Sequence, residues 1–377
     1  YVLVGAAGAR AGALAPVAFL VAAGVMGLTG AAFAELAGRL PLSAGEAAYV
    51  RAGFNSDAAA LVVGALVLGV ATISAAAIAK GAVGYIQFFL PWPVAVLTVL
   101  TVLGMGLIAS YGVKEAVSIA AVMTIIEIGG LTAIIVGGFA QDPKIIGNAA
   151  AAVANATFDA AALQAIAGAF LLAFFAFIGF ESIVNLAEEA NAPVTALPKA
   201  ILLTLVIATV LYVGVVIVAL SVVPATELGA SSAPLSLVFQ RTTGGSPALI
   251  SGIAVIATLN GIIAQIILAS RVIYGLSRQK VLPEWLGVLD QRTQTPRLAT
   301  AIVTAAVLAL ALLQRIDRLA DLTSLLMLAV FLAVNAALVA MKLRRDPPPP
   351  DVVIVPMIVP VMGTVTCAVM LVAGLVL

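Results

Sequence analysis

The sequence predicts an all-α protein, a polytopic bundle of membrane-spanning helices. Hydrophobic residues make up 63% of its 377 residues and charged residues only 9%, whereas a soluble domain carries roughly 25% charged residues. Mean hydropathy is +1.23, so there is too little polar side chain to coat a water-soluble globule. Apolar runs of membrane length, about 20 residues, recur from one end of the sequence to the other, separated by short polar connections.

The spans read in order as follows. Tyr1–Ala9 is too short to cross and reads as the second half of a helix. Candidate spans follow at Ala13–Phe33, Ala58–Ala79, Pro93–Ser110, Ala116–Phe139, Ala161–Leu186, Ala200–Val223, Pro247–Ser270, Leu298–Leu313, Leu319–Met341 and Val352–Leu377. Small residues such as Gly8/Gly12 and Gly24/Gly27/Gly30 recur along them and let backbones approach closely in lipid. Two longer connections, about 140–160 and 224–246, are rich in Gly, Ser, Thr, Asn and Pro and predict loops with short interfacial helices. Arg344-Arg345-Asp346 followed by Pro347 to Pro350 predicts an extended linker, because proline fixes the backbone. The sequence opens without a start methionine or basic leader and closes inside an apolar run at Leu377, which predicts a piece of a longer chain.

Charge gives the orientation. Arg39, Arg51, Lys114, Lys199, Arg271, Arg278, Lys280, Arg292, Arg297, Lys342, Arg344 and Arg345 fall at one set of helix ends. Arg10, Lys80, Lys144, Arg241, Arg315 and Arg318 fall at the other. The excess of Lys and Arg marks the first side as cytoplasmic.

Composition also excludes chemistries. Net charge is +1, so there is no basic face for nucleic acid. The single cysteine, Cys367, rules out an internal disulfide framework and a cysteine zinc site. Histidine is absent, which removes the usual proton shuttle and any Ser-His-Asp set. No Gly-rich phosphate loop with Lys-Ser/Thr is present, which argues against ATP-driven transport. No cofactor or metal is expected.

Gly179-Phe180-Glu181 interrupts the span from Ala161 to Leu186. A carboxylate at membrane depth costs about 2.5–3.5 kcal/mol on insertion scales, and a glycine weakens a helix by roughly 1 kcal/mol relative to alanine. Such a break is tolerated where it faces protein or a water-filled cavity, and secondary transporters place binding sites at broken helices. A kink closed by a helix–helix hydrogen bond is the structural alternative.

Several strings together resemble one family. Phe174-Phe175-Ala176-Phe177-Ile178-Gly179-Phe180-Glu181, Ala187-Glu188-Glu189-Ala190-Asn191-Ala192-Pro193 and Leu197-Pro198-Lys199 resemble the sixth helix and following loop of the amino acid–polyamine–organocation superfamily. Ala269-Ser270-Arg271 through Arg278, with Leu282-Pro283 and Thr295-Pro296, resembles the end of its eighth helix and the inner loop. Ala34-Glu35-Leu36, Pro41, Gly45-Glu46 and Tyr49-Val50 resemble the end of its second helix and the loop after it. Arg344-Arg345-Asp346-Pro347 with Val355-Pro356, Val359-Pro360 and Gly363 resembles the entry to its eleventh. The match runs nearly end to end.

This resemblance implies a leucine-transporter-like bundle, one domain over 1–377. It would hold two inverted five-helix repeats, 1–139 and 161–342, and an additional helix over 352–377. The family's glycine-rich break in helix one is expected just before Tyr1, and a twelfth helix after Leu377. It implies transport of an amino acid or related amine by alternating access, with protons or a counter-substrate as coupling partners and the lipid bilayer as surroundings. A bacterial inner membrane is expected.

An amino acid brings a carboxylate and an ammonium, which exposed helix ends bind through N–H groups and carbonyls. Candidate substrate residues are therefore Phe177, Ile178, Gly179, Phe180 and Glu181 at the break, with Asn260 and, more weakly, Ser74. Glu181 either acts directly or links the two half-helices. Glu127 stands where relatives carry a lysine linked to coupling, and is a candidate protonatable coupling residue or a buried helix–helix link. Thr258, Gly261 and Gln265 face the substrate or bond between helices. Tyr85 and Trp92 read as interfacial aromatics, with gating the alternative. Glu188, Glu189, Lys199, Arg271 and Arg278 are expected to form inner-surface ion pairs. The other classes weighed are a non-transporting sensor or scaffold of the same fold, and an intramembrane enzyme, against which the missing catalytic sets argue.

Overall fold

The computed structural model describes residues 2–40, 45–111, 117–186, 193–278 and 282–376, with the backbone alone for 117–122, 185, 186 and 193. Helix α1 (Leu3–Ala11) is followed by α2 (Ala15–Arg39), α3 (Gly45–Phe54), α4 (Asp57–Ile86), α5 (Val94–Ser110) and α6 (Val117–Gln141). Then come α7 (Ile145–Ala154), α8 (Ala160–Phe177), α9 (Pro193–Val222), α10 (Ala225–Ala230) and α11 (Pro234–Thr243). The chain closes with α12 (Pro247–Arg278), α13 (Arg297–Leu313), α14 (Ile316–Leu343) and α15 (Ile358–Val376). The described residues contain no strand, and long apolar helices recur along the whole chain. The protein is therefore a multi-pass membrane protein.

The boundaries move from the expected ones where polarity and helicity part company. Helix α12 runs on to Arg278 rather than ending at Ser270, and α9 begins at Pro193 rather than Ala200, carrying Pro198 within it. Apolarity stops at the membrane face, whereas backbone bonding continues past it. The last helix begins at Ile358, not Val352, because Pro347 to Pro350 and Pro356 hold the segment out of the α-helix. Gly12, at φ +53°, turns the chain between α1 and α2, so these are two helices and not one span. The connections about 140–160 and 224–246 hold the short helices α7, α10 and α11.

Two cores form. One joins α1, α2, α8, α9 and α14 around Phe19, Phe33, Phe170, Phe174 and Phe331. The other, richer in alanine, joins α4, α5, α12 and α13 around Ala71, Ala75, Val102, Ile266 and Val303. Where no side chain intervenes, backbones nearly touch: a Cβ at Gly53 would lie 2.3 Å from that of Ala337, fixing α3 against α14. The outward faces carry Leu100, Leu103 and Leu107 on α5, Leu298 and Ile302 on α13, and Val365, Val369 and Val372 on α15, all exposed and suited to lipid.

At the end of the bundle that the charge distribution marks as cytoplasmic, fully buried Glu35 of α2 is held by Arg39 (2.8 Å) and Lys342 of α14 (2.7 Å). Its other contact is the Val355 N–H, which donates to it at 2.8 Å. Arg344 donates to the carbonyls of Ala52 and Gly53, capping α3. These bonds tie α2, α3, α14 and the approach to α15 together.

Tyr85 departs from its expected place. Its side chain is fully buried, which takes it out of the interfacial aromatics, whereas Trp92 is 49% exposed. Glu188 and Glu189 lie outside the described residues. No ion pair to Lys199, Arg271 or Arg278 occurs among the described residues.

Candidate functional site

The broken span is broken in the structure. Helix α8 stops at Phe177, Ile178 takes an extended conformation, and the chain re-enters a 3-10 turn over Phe180–Leu186. Gly179 sits at φ +136°, with nothing within 4 Å of where a Cβ would be. Conformation, not space, demands glycine here. The Gly179 N–H donates to Glu181 Oε2 at 2.8 Å, so Glu181 is the clasp of the break.

A cavity of about 310 Å³ opens beside it. Val2, Leu3 and Val4 at the start of α1, Ser74 and Ile78 of α4, Glu127 of α6, Ile178 after α8, Tyr212 of α9, and Thr258, Gly261 and Gln265 of α12 line it. The wall is mostly apolar, with few polar points, as small-ligand sites are. Of the residues read from sequence, Ser74, Glu127 and Ile178 meet in this cavity, together with Thr258, Gly261 and Gln265. Phe177, Gly179, Phe180, Glu181 and Asn260 are not in its wall. Phe177 is buried behind it with its ring edge on Tyr212, 5.2 Å between centroids. The Thr258 hydroxyl is spent on its own helix, donating to Ala254 O at 2.6 Å. The Oε1 atom of Gln265 is buried without a hydrogen-bond partner among the described residues.

Below the break lies an aromatic plug. Phe33 meets Tyr49 at 5.9 Å, Phe180 at 5.7 Å and Phe331 at 5.5 Å, in edge-on geometry. All four rings are buried and come from four different segments. Beside them, buried Glu46 of α3 stands close enough for its charge to act on Glu181. No cation pairs with either carboxylate among the described residues. The Tyr49 hydroxyl is buried without a partner among the described residues, and burial together with Glu46 pushes its pKa up.

Burial pushes the Glu46 carboxyl from 4.5 up to about 6. A carboxyl raised by folding favours the folded state while protonated, below its unfolded pKa. That stability is lost as pH rises through about 6, a swing of about 2 kcal/mol. Thermal melts in detergent from pH 4.5 to 7.5 are therefore expected to fall with pH in the native protein. In Glu46→Gln they should be flatter; equal slopes in the two would sink the assignment.

Above the cavity, Arg10 at the end of α1 forms a fork with Asp321 of α14 at 2.8 and 2.9 Å. It also donates to the Gly168 carbonyl of α8 at 2.8 Å, with Asp317 at 3.7 Å. One guanidinium thus joins three helices, the geometry at which arginine excels. The α10–α11 segment rests on this end: a Cβ at Gly5 would lie 2.5 Å from the Leu228 carbonyl.

Sequence reading did not find Arg10's partners, Tyr212 or the Glu46–Glu181 approach. Arg10 and Asp321 are 311 residues apart, and no local pattern announces such a pairing. Tyr212 lies in a long apolar run, where its hydroxyl is one among those of Thr204, Thr209 and Ser221.

Comparison with known proteins agrees with this architecture. The family model described as "Amino acid permease" matches residues 1–377. A branched-chain amino acid permease of Bacillus subtilis (strain 168) is 30% identical over 175 residues, covering 46% of this chain and 38% of the relative. An uncharacterized transporter of Mycobacterium tuberculosis (strain ATCC 25618 / H37Rv) is 28% identical over 373 residues, covering 95% and 80%. The vacuolar cationic amino acid transporter 4 of Arabidopsis thaliana is 28% identical over 383 residues, covering 92% and 60%. The match therefore spans less than two thirds of the Bacillus and Arabidopsis relatives, 38% and 60% of their lengths. A permease family is not an enzyme family, and the match extends over every element that builds the cavity: the chain belongs to the amino acid permease family.

Proposed function

We propose that this chain carries amino acids or related amines across a cell membrane, a bacterial inner membrane in our reading, by alternating access. The observation that carries this is the cavity beside the Gly179 break, set between the Arg10–Asp321 tie on the outer side and the Phe33–Tyr49–Phe180–Phe331 plug on the inner. Rocking one group of helices against the other would open these two closures in turn. The reading takes 1–139 and 161–342 as inverted repeats. In its support, α1 leaves the cavity outward to Arg10, whereas α8 enters it from the outer end.

The substrate's carboxylate and ammonium meet main-chain groups at the break near Ile178, with Ser74 across the cavity. Glu127 is the coupling residue in this reading, a carboxylate on the cavity wall that binds a proton in one half of the cycle. The relatives' names include branched-chain and cationic amino acids, so amino acids as a class bound the substrate.

Labelled amino acids and amines presented to proteoliposomes, with and without an inward proton gradient, test this. Saturable uptake that rises with the gradient establishes proton symport. Uptake only against internal substrate establishes exchange. Silence from folded protein overturns transport in favour of a sensor or scaffold. For coupling, Glu127→Gln is expected to flatten the dependence of uptake on pH; an unaltered pH profile rejects Glu127.

A further inference from the structure

We propose that Ser74 and Gln265 form a paired hydrogen-bonding subsite for an uncharged polar group on the substrate side chain, so that this permease takes hydroxyl- or amide-bearing amino acids in preference to aliphatic ones of the same shape. This rests on the transport reading above. Helices α4 and α12 pack against each other and run antiparallel. A Cβ at Gly64 would lie 3.8 Å from Leu276 Cδ2, and one at Gly261 would lie 3.5 Å from Ile78 Cδ1. Ser74 stands one turn before Ile78, and Gln265 one turn after Gly261. The same register therefore sets Ser74 and Gln265 opposite each other, and both line the cavity.

Neither side chain is spent on the protein. Ser74 is 3% exposed and makes no hydrogen bond among the described residues. On the same two helices, the hydroxyls of Thr72 and Thr258 each donate to a carbonyl one turn back, as do those of Thr98 and Thr209 elsewhere. The Gln265 Oε1 atom is buried without a donor among the described residues. A buried polar group left unmatched is costly, and a ligand that matches it recovers that cost. A hydroxyl both donates and accepts, and a carboxamide offers two donors and a carbonyl, so either can serve the Gln265 carbonyl and the Ser74 hydroxyl together. A methyl group in the same place serves neither and keeps water from them. Ile78, Phe175 and Ile178 line the same cavity, an apolar surround in which a missing hydrogen bond counts for most. The substrate's carboxylate and ammonium stay at the break, and its side chain reaches across to the pair.

The test uses the full chain in lipid nanodiscs, with equilibrium binding of threonine against valine and of asparagine against leucine. Each pair is matched in shape, so the ratio of affinities reads the polar group. In at least one pair the polar member is expected to bind about fivefold or more tighter. Gln265→Leu should cut that lead by about half or more. If Gln265→Leu does not fold, Ser74→Ala is expected to do the same. Native protein in which neither polar member leads by that factor overturns the subsite while leaving transport standing. A lead that falls by less than about half in the folded variant also overturns it. Binding of no amino acid to folded native protein overturns both readings.

Discussion

Replacing Glu35 with alanine is expected to destabilise the protein by about 3–5 kcal/mol, the cost of leaving buried charges uncompensated. Glu35 is fully enclosed, and its two cationic partners, Arg39 and Lys342, are only 6% and 11% exposed. Removing it takes the counter-charge from both cations, leaving them only carbonyl acceptors in a place water barely reaches. It also strips the Val355 N–H of its acceptor, loosening the approach to α15. Glu35→Gln should cost less but in the same direction, because an amide still accepts one hydrogen bond while failing to balance the charge. Thermal unfolding in detergent and the yield of folded protein check this. A melt within about 1 °C of native for Glu35→Ala would show that this cluster holds nothing, since 1 kcal/mol shifts a midpoint by roughly 2–4 °C at 150–250 residues and somewhat less in a longer chain, so that about 3–5 kcal/mol moves it by several degrees.

Arg10→Ala is expected to unlock the outer face. Charge-assisted hydrogen bonds contribute about 1.5–3 kcal/mol each, and Arg10 makes three, to Asp321 and Gly168, with its side chain 28% exposed. Losing even one such increment shifts a two-state equilibrium by roughly tenfold or more. The outward-open population should rise and the rate of the full transport cycle should drop by about that factor. A cysteine placed at Ser74, on the cavity wall, would report the change by faster labelling from outside. Native Cys367 is buried and adds little background. Asp321→Asn should act in the same direction, and the charge swap Arg10→Asp with Asp321→Arg should return part of the closure. Labelling at Ser74 that ignores both single substitutions would show that closure depends on other contacts.

These two sites mark what sequence does and does not reveal. The helical bundle is legible because apolar length alone compels it, and the break at Gly179 because a carboxylate and a glycine inside a span have few other uses. Glu35 is visible as part of a family string, but its partner Lys342 lies far along the chain, and only folding brings the two together. Arg10 reads as one more outer charge until α14 is laid beside it. The helix ends at Arg278 and Pro193 escape the apolar count because a helix leaving the membrane keeps its backbone bonds while changing its side chains. Asn260, chosen for polarity on a candidate substrate helix, is not in the cavity wall, whereas Gln265 is; helical phase decides which one faces inward, and a long, mostly apolar helix carries little phase signal.

The break at Gly179 has a consequence for anyone mapping this protein by mutation. From Phe177 to Phe180 the chain steps out of the α-helical ladder, so what it offers a passing molecule is peptide groups, which every residue type carries alike. Alanine scanning is blind to such a surface: the side chains can be exchanged one by one while the carbonyls and N–H groups remain. The scan would record lost packing at buried Phe177 and Phe180 and a strained backbone angle at Gly179, and nothing of what the peptide groups themselves do. Replacing single amides by esters, atom for atom, is the perturbation matched to a site written in main chain.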